Sequence, residues 1–407
     1  MSIRVDGFPV IYDPSYPSEE VQIKNAMYIG TKIAVNNYGI VNMQGDSSYH
    51  NTIYQNDNHT FRTEPPGDSS LSFGLNTLSK YSWVDLSRIG WYPCGEECKT
   101  HLGFTFMRVR IDEGVYIDMI NLDIDRSTEI DNQMAKRWAI YQVSEFIRTQ
   151  SEGNAVIVFG NTASLYSRFG DNIQLLTIQN GLKDAWVESI GGTAPAIGMS
   201  MMCPKVAQPN ITCEEEQKIL YRGSPFINLT SSGFYYDTWR FLSPKGDVLS
   251  SQNPVRAEFK WELAPWLRQS DLLGGPHGAW FNDICQIPPA PKVAYIILRG
   301  ASRLDGLTVS LVSGEEFTHG GSGGVKYTLD LVSDEYILSV KLCWGKKNKH
   351  TRIFYAKATT NKERFIEVGR YTEYCGTVVA PTGYAVVGTY GQDGKEIDQL
   401  GFIYAKQ

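Results

Sequence analysis

The chain has 407 residues, 42% of them hydrophobic and 12% aromatic, which excludes a disordered polypeptide and predicts two or three cored domains. A formal net charge of −6, with no strongly basic half, excludes nucleic acid as a partner held by bulk charge. Seven cysteines are too few for a disulfide-scaffolded fold, and none of their spacings fits a zinc site.

Cys94 with Cys98, and Cys203 with Cys213, are near enough in sequence to pair within loops. Together with N-x-S/T sequons at Asn58, Asn210 and Asn228, they lean toward a secreted protein in an oxidising compartment. The opening MSIRVDGFPV holds no apolar signal core, so a removed leader and a cytoplasmic location both stay open. No apolar run is long enough to serve as a transmembrane segment.

In chain order, a short strand at 3–8 leads through a Pro-rich loop to a predicted helix over 19–35 and a strand over 38–43. Residues 51–100 read as mostly loop, with Pro65-Pro66-Gly67 and many Ser, Asn and Asp residues. Strands at 104–111 and 115–125 precede a helix over 129–149. Its spacing assigns the apolar face to Ile130, Met134, Trp138, Tyr141 and Phe146. The unbroken apolar run 155–159 predicts a strand buried on both faces. A short helix near 173–179 and strands at 218–222, 235–242 and 255–262 complete the block. Strands and helices mix without strict alternation, which favours an α/β sandwich of two packed sheets over a doubly wound sheet.

The expected boundary lies where Pro265 breaks the last strand, giving domains at 1–263 and 273–407 joined by a polar linker at 264–272. Beyond it, helical periodicity vanishes and short strands alternate with Gly-rich turns, the pattern of an all-β domain. Similar strands at 304–309, 336–340 and 397–402, with Gly-rich turns at 274–278, 320–324 and 388–394, predict three related sheets around one axis. In the last turn, Gly391 and Gly394 leave backbone N–H groups uncovered and Asp398 follows at the next strand. Vicinal sugar hydroxyls both donate and accept, so amides facing a carboxylate suit a carbohydrate, although an ordinary hairpin has the same outline. The basic run Lys346-Lys347-Asn348-Lys349-His350 reads as a solvated hairpin tip.

Gly278-Ala-Trp-Phe-Asn-Asp283, His319-Gly-Gly-Ser-Gly-Gly324, Glu335-Tyr-Ile337 and Gly394-Lys-Glu-Ile-Asp398 resemble the jacalin-related lectins, over the whole of residues 271–407. The resemblance implies a β-prism I of three four-stranded sheets, with the sugar held between the first and last Gly-rich loops. It implies that the amides of Gly278, Lys395 and Glu396, in the loop opened by Gly394, bind hydroxyls of a glycan. The Asp398 carboxylate would accept two hydrogen bonds from one hexose, with no metal or other cofactor. Lys395 and Glu396 stand where several relatives carry aromatic residues, which weakens stacking on the sugar's apolar face. Gly278 continues from the preceding chain, whereas galactose-preferring relatives have a processed terminus there; this points to mannose or glucose.

Residues 1–262 resemble the endonuclease/exonuclease/phosphatase superfamily, in its sphingomyelinase-like phosphodiesterase branch. The resemblance rests on Val5-Asp-Gly-Phe-Pro9, Ile40-Val-Asn-Met-Gln-Gly45, Gly74-Leu-Asn-Thr-Leu-Ser79, Ile120-Asn-Leu-Asp-Ile-Asp125 and Val156-Ile-Val-Phe-Gly-Asn-Thr162. Such enzymes bind a divalent metal through Glu and Asn, and orient water with an Asp/His pair. At the matching positions this chain has Arg4 for the Asn, Gly45 for the Glu and Asp123 for a His. Asn161 and Ala163 replace an Asp and an Asn, and Ser251-Gln252 replaces the Asp-His pair. No histidine lies between His101 and His277 to act as a base near neutral pH. Arg4 is expected to sit where the cation would, while Asp46, Asp123 and Asp125 are the oxygen ligands left for a rebuilt Mg²⁺ or Ca²⁺ site.

The resulting expectation is a glycan-binding lectin on a catalytically silent scaffold that offers a surface to a protein partner, gaining avidity as a homo-oligomer. The rival expectation is a metal-dependent phosphodiesterase, sphingomyelinase-like, targeted to glycans by the lectin domain. A third is an interaction protein whose two domains have both lost their ligands.

Overall fold

A computed structural model of the protein describes residues 1–5, 19–46, 49–64, 74–92, 103–124 and 130–407. Cys94, Cys98, His101 and Asp125 lie outside the described residues. The first part runs β1 (Ser2–Arg4), α1 (Glu19–Asn36), β2 (Ile40–Gln44), α2 (His50–Asn56), β3 (Phe61–Arg62), β4 (Asn76–Ser79) and β5 (Trp83–Gly90). It continues with β6 (Gly103–Asp112), β7 (Val115–Asp123), α3 (Ile130–Gln150), β8 (Ala155–Asn161), α4 (Gln174–Asn180), β9 (Lys183–Asp184) and α5 (Ala185–Ser189). Strands β10 (Gln217–Arg222), β11 (Ile227–Tyr236) and β12 (Val255–Leu263) close it.

These strands form two six-stranded sheets, in the orders β11-β12-β1-β2-β4-β3 and β5-β6-β7-β8-β10-β9. The sequence of β8 shows why they stack. Val156 and Val158 are buried against α3, while Ile157 and Phe159 are buried on the opposite face, in the core that faces the other sheet. Both faces of this strand are thus covered, as the apolar run predicts. Helices α1 and α2 cover the outside of the first sheet through Ile29, Ile33 and Ile53. Helices α3 and α4 cover the outside of the second.

Three expectations need correction. The buried stripe of α3 is Ala139, Ile140, Val143 and Ile147, whereas Met134, Trp138 and Tyr141 are more than 40% exposed. Phe146 does reach the second sheet, edge to face with Phe104 and Phe106 at 5.1 Å each, whereas the Trp138 and Tyr141 rings meet each other edge to face at 5.5 Å on the outside. Residues 51–100, expected as loop, contribute most of α2 and the strands β3, β4 and β5. The strand expected at 235–242 starts earlier, as β11, because its half-polar run Asn228-Leu-Thr-Ser-Ser-Gly233 alternates buried and exposed positions.

The second part contains β13 (Leu267–Gln269), β14 (Leu273–Gly274), β15 (Ala279–Asn282), β16 (Val293–Gly300), β17 (Leu304–Leu311), β18 (Glu316–Gly320) and β19 (Val325–Asp330). It ends with β20 (Ile337–Lys347), β21 (His350–Thr360), β22 (Phe365–Gly369), β23 (Tyr374–Val379), β24 (Tyr384–Asp393) and β25 (Ile397–Lys406). Three antiparallel sheets result: β13-β25-β24-β15 with β14 also on β25, β18-β17-β16-β19, and β22-β21-β20-β23. The segment 264–272, expected as a linker, contains β13, whose residues Leu267, Arg268 and Gln269 pair with Ala405, Tyr404 and Ile403.

The two parts are joined by a buried cluster. Arg108 of β6 donates to Asp118 and Asp85 at 2.8 Å each and to the Gln150 carbonyl at 3.0 Å. Its guanidinium lies 3.4 Å from the ring centre of Trp280 in β15. Asp85, at φ +62° in the bulged β5, also accepts from Gln392 at 3.2 Å and Gln399 at 3.1 Å. Beside this cluster Arg110 and Asp271 form a two-pronged pair at 2.8 Å.

Candidate functional site

At one end of the second part, the Gly-rich turns meet around the loop between β24 and β25. Gly278 has φ +88°, a conformation that glycine adopts without strain. A Cβ there would fall 2.1 Å from the Asp393 carbonyl oxygen and 2.8 Å from Asp398 Oδ2. Gly321 is as tight against the Lys395 carbonyl, where a Cβ would sit at 2.3 Å. Backbone from two distant turns therefore packs directly on the 393–398 loop. Gly278, Gly394 and Lys395 are exposed, Glu396 is partly covered, and the Asp398 side chain is buried.

The carboxylates here are not free of partners. Glu396 pairs with Arg303 at 2.8 Å, Lys347 at 2.6 Å and Arg352 at 3.4 Å. Burial opposes its charge, but the hydrogen bonds from Arg303 and Lys347 outweigh burial and hold its pKa below the usual range. Asp398 Oδ1 is ion-paired with Arg352. Burial pushes Asp398 up to about 7, with Arg352 pulling the other way and Glu396 and Asp393 adding repulsion. The β20–β21 tip is therefore only partly the solvated hairpin expected. Lys346 and Lys349 are exposed, but Lys347 and Arg352 reach the loop, and His350 meets His277 edge to face at 4.7 Å. Sequence reasoning missed Arg303 and Arg352; the basic run was a signal for the second but gave no direction.

At the C-terminal ends of β1, β2, β7 and β8 the substituted positions also come together. Arg4 Nη1 contacts Asp123 Oδ1 at 2.6 Å, and Asn161 Nδ2 donates to the same oxygen at 2.7 Å. Gln252 donates to Asn161 at 3.2 Å and accepts from Gln217 at 2.8 Å. Gln217 donates to Gln44, which donates to Asn121 at 2.8 Å. Ser250 donates to the Arg4 carbonyl at 2.7 Å beside Ser251. Gly45 adopts φ +72°, and Ala163, at φ +47°, donates its amide to Asn161 Oδ1 at 3.2 Å. The neighbouring Asp46 is buried, accepts from Asn76 at 2.7 Å and is pushed up to about 7 by that burial.

Whether this end suits the divalent metal of the resembling enzymes can be tested on its donor set. A guanidinium already neutralises Asp123, amides surround it, and burial raises the pKa of Asp46 to about 7, which weakens it as an ionised ligand. Among the described residues no three His, Cys, Asp or Glu side chains group as a metal site. Among the described residues the donor set does not fit the ion.

Comparison with known proteins matches the two parts of the chain to different proteins. The profile of the jacalin-like lectin domain matches residues 270–403. Sphingomyelinases of Mycobacterium bovis and Mycobacterium tuberculosis are each 30% identical over 236 residues, 56% of this chain and 46% of theirs. The chain thus spans about half the length of the curated relatives it matches. A secreted RxLR effector protein of Plasmopara viticola is 27% identical over 145 residues, 34% of this chain and 80% of that protein. Among solved structures, a mannose-binding jacalin-related lectin from Ananas comosus is 22% identical, covering 35% of this chain and 99% of its own, with a TM-score of 0.31. The agglutinin of Calystegia sepium is 20% identical with the same coverages and a TM-score of 0.32. The chain joins an N-terminal domain like those of the endonuclease/exonuclease/phosphatase superfamily to a C-terminal jacalin-like lectin domain.

Proposed function

We propose that this protein is a lectin that binds a hexose at the Gly278 and 394–398 loops, carried on a phosphodiesterase-like domain without hydrolytic activity. The observation that carries the reading is the seating of the Gly278 backbone against Asp398 Oδ2, beneath the exposed Gly394 and Lys395. A sugar hydroxyl placed there donates to the carboxylate and accepts from the neighbouring amides, which is the pairing vicinal hydroxyls require. Arg352 holds Oδ1, so the carboxylate offers Oδ2 to the ligand rather than both oxygens. Mannose or glucose is the favoured class, because the chain runs unbroken into Gly278. The N-terminal domain serves as a rigid body that presents the lectin loops. The disulfide Cys203–Cys213 accords with secretion, as does Cys343–Cys375, a second that spacing did not suggest.

A glycan array probed with the wild-type chain and with Asp398→Ala tests the reading. Signal on mannose- or glucose-terminated glycans that disappears in the variant supports it; equal signal from both proteins excludes this site. Hydrolysis of a phosphodiester that needs Mg²⁺ and stops with EDTA would overturn the silent assignment of the first domain.

A further inference from the structure

A cavity of about 470 Å³ opens between the two sheets of the N-terminal domain. It falls within the size range of small-molecule sites, roughly 300–1,000 Å³. Its inner wall is apolar: Met119, Ile157, Phe159 and Ile219 come from the second sheet, Leu229 and Phe259 from the first. It is not the substituted catalytic end. The cavity takes Ile40 at the start of β2 and Ile157 near the start of β8, whereas Gln44 and Asn161 of the amide network stand at their ends. The cavity's nearest lining residues, Phe159 and Ile219, stand two strand positions from Asn161 and Gln217, about 7 Å at the usual rise, and Ile40 and Ile157 lie farther off.

The rim is different in character. Arg240, Arg256, Glu258, Tyr81 and Trp261 line it and meet solvent to varying extents. Arg256 is shared between Asp237, at 2.9 Å, and Glu258. Arg240 is less satisfied. Its Nη1 donates to the neutral Asn36 Oδ1 at 2.7 Å, and its Nε lies 3.6 Å from Asp237 Oδ1, with neither of those two atoms hydrogen-bonded. The inner wall of the slot offers an apolar chain dispersion contacts along its length and offers water few polar groups to bind. The size and lining of the slot suit a hydrocarbon chain, and an anionic head at the rim would give Arg240 Nε a nearer acceptor than Asp237 at 3.6 Å.

We propose that this inter-sheet cavity binds a single-chain anionic amphiphile of the long-chain fatty-acid class, with its hydrocarbon between Ile157 and Phe259 and its carboxylate at Arg240. The site is independent of the sugar loops and of any hydrolytic chemistry.

The test measures displacement of a fluorescent fatty acid from the full chain by palmitate and by cetyl alcohol, both below their aggregation concentrations. Saturable one-to-one binding of palmitate is expected, with the alcohol at least tenfold weaker. Ala257→Phe, which fills the slot from β12, should weaken both ligands at least tenfold. Arg240→Gln should bring palmitate down to the level of the alcohol and leave the alcohol unchanged. Absence of saturable binding, or binding indifferent to Ala257→Phe, overturns the site; equal affinity for palmitate and alcohol overturns the anionic assignment. Should Ala257→Phe fail to fold by circular dichroism, hydrogen exchange of the wild-type chain decides. Protection by palmitate at residues 36–40 and 256–261 supports the proposal, and protection confined to the second domain overturns it.

Discussion

Each domain holds an aspartate at a position that its resemblance makes functional, Asp398 in place and Asp123 where a His is expected, and each aspartate is met by an arginine. Asp123 pairs with Arg4, and Asp398 pairs with Arg352. The difference lies in what surrounds the pair. Around Asp123 a chain of side-chain amides runs through Asn161, Gln252, Gln217, Gln44 and Asn121, each bonded to the next. Around Asp398 one side is met by the exposed backbone of Gly278, and Gly394 and Lys395 in the adjoining turn are also exposed. On the proposed reading, a centre with amides in place of charged ligands serves as internal structure. A centre that retains accessible backbone beside its carboxylate can still meet a ligand.

The most damaging way to break the comparison is to uncouple the two regions. Arg108 is fully buried, answers both Asp85 and Asp118, and lies under Trp280 of the lectin domain. Arg108→Met leaves two buried carboxylates without their cation, which costs about 3–5 kcal/mol. Thermal unfolding of the wild-type chain is expected as one transition, and that of the variant as an earlier or split one. A variant that unfolds like the wild type would mean that the domains are energetically separate.

The second test asks whether the stripped centre is now structural. Arg4→Asn restores the residue type that the resembling enzymes have, yet it is expected to destabilise the chain by about 2–3 kcal/mol, because buried Asp123 loses its guanidinium partner. Mg²⁺ should leave the melting temperature of the wild-type chain unchanged. A rise on adding Mg²⁺, reversed by EDTA, would restore the metal-dependent reading.

How much of this contrast was legible in the sequence depends on the range of the interactions. The both-faces burial of β8 follows from a local apolar run, and the three-sheet pattern from repeats of short strands and Gly-rich turns. The face of α3 differs from its spacing because Trp138 and Tyr141 count as apolar in any pattern, while which side meets the sheet, where Val143 and Ile147 are buried, is set by tertiary packing. Residues Gly278 and Asp398 could be joined only through family resemblance, since 120 positions of chain separate them and no local rule links them. Arg352 was invisible as Asp398's partner for the same reason. The bond between Cys343 and Cys375 is likewise a matter of register: the two residues face each other on β20 and β23.

The third test sharpens the comparison from the lectin side. Asp398→Asn keeps the shape of the loop but replaces a charged acceptor with a neutral one, an effect of about 1.5–2 kcal/mol for one hydrogen bond. Sugar affinity, read by calorimetry, should fall roughly ten- to thirtyfold, while the fold survives because the buried charge has gone too. Unchanged affinity would move the site away from the 394–398 loop.

The smallest effect is also the most discriminating, because it has opposite signs for stability and for binding. With its pKa raised to about 7, folded Asp398 retains a proton that an unfolded aspartate releases near its ordinary value of about 4. Between those values the unfolded chain binds fewer protons, so stability falls as pH rises through the window, and buried Asp46 contributes in the same direction. Sugar binding requires the ionised carboxylate, so affinity should instead rise, with its midpoint near pH 7. Between pH 6 and 8 the ionised fraction of such a group climbs from about a tenth to about nine-tenths, which bounds the gain at somewhat under tenfold. In Asp398→Asn the affinity should be flat across that range. The stability slope should shrink without vanishing, because Asp46 still titrates. If affinity and stability both declined with pH, the trend would report loosening of the fold, and Asp398 would not be the acceptor.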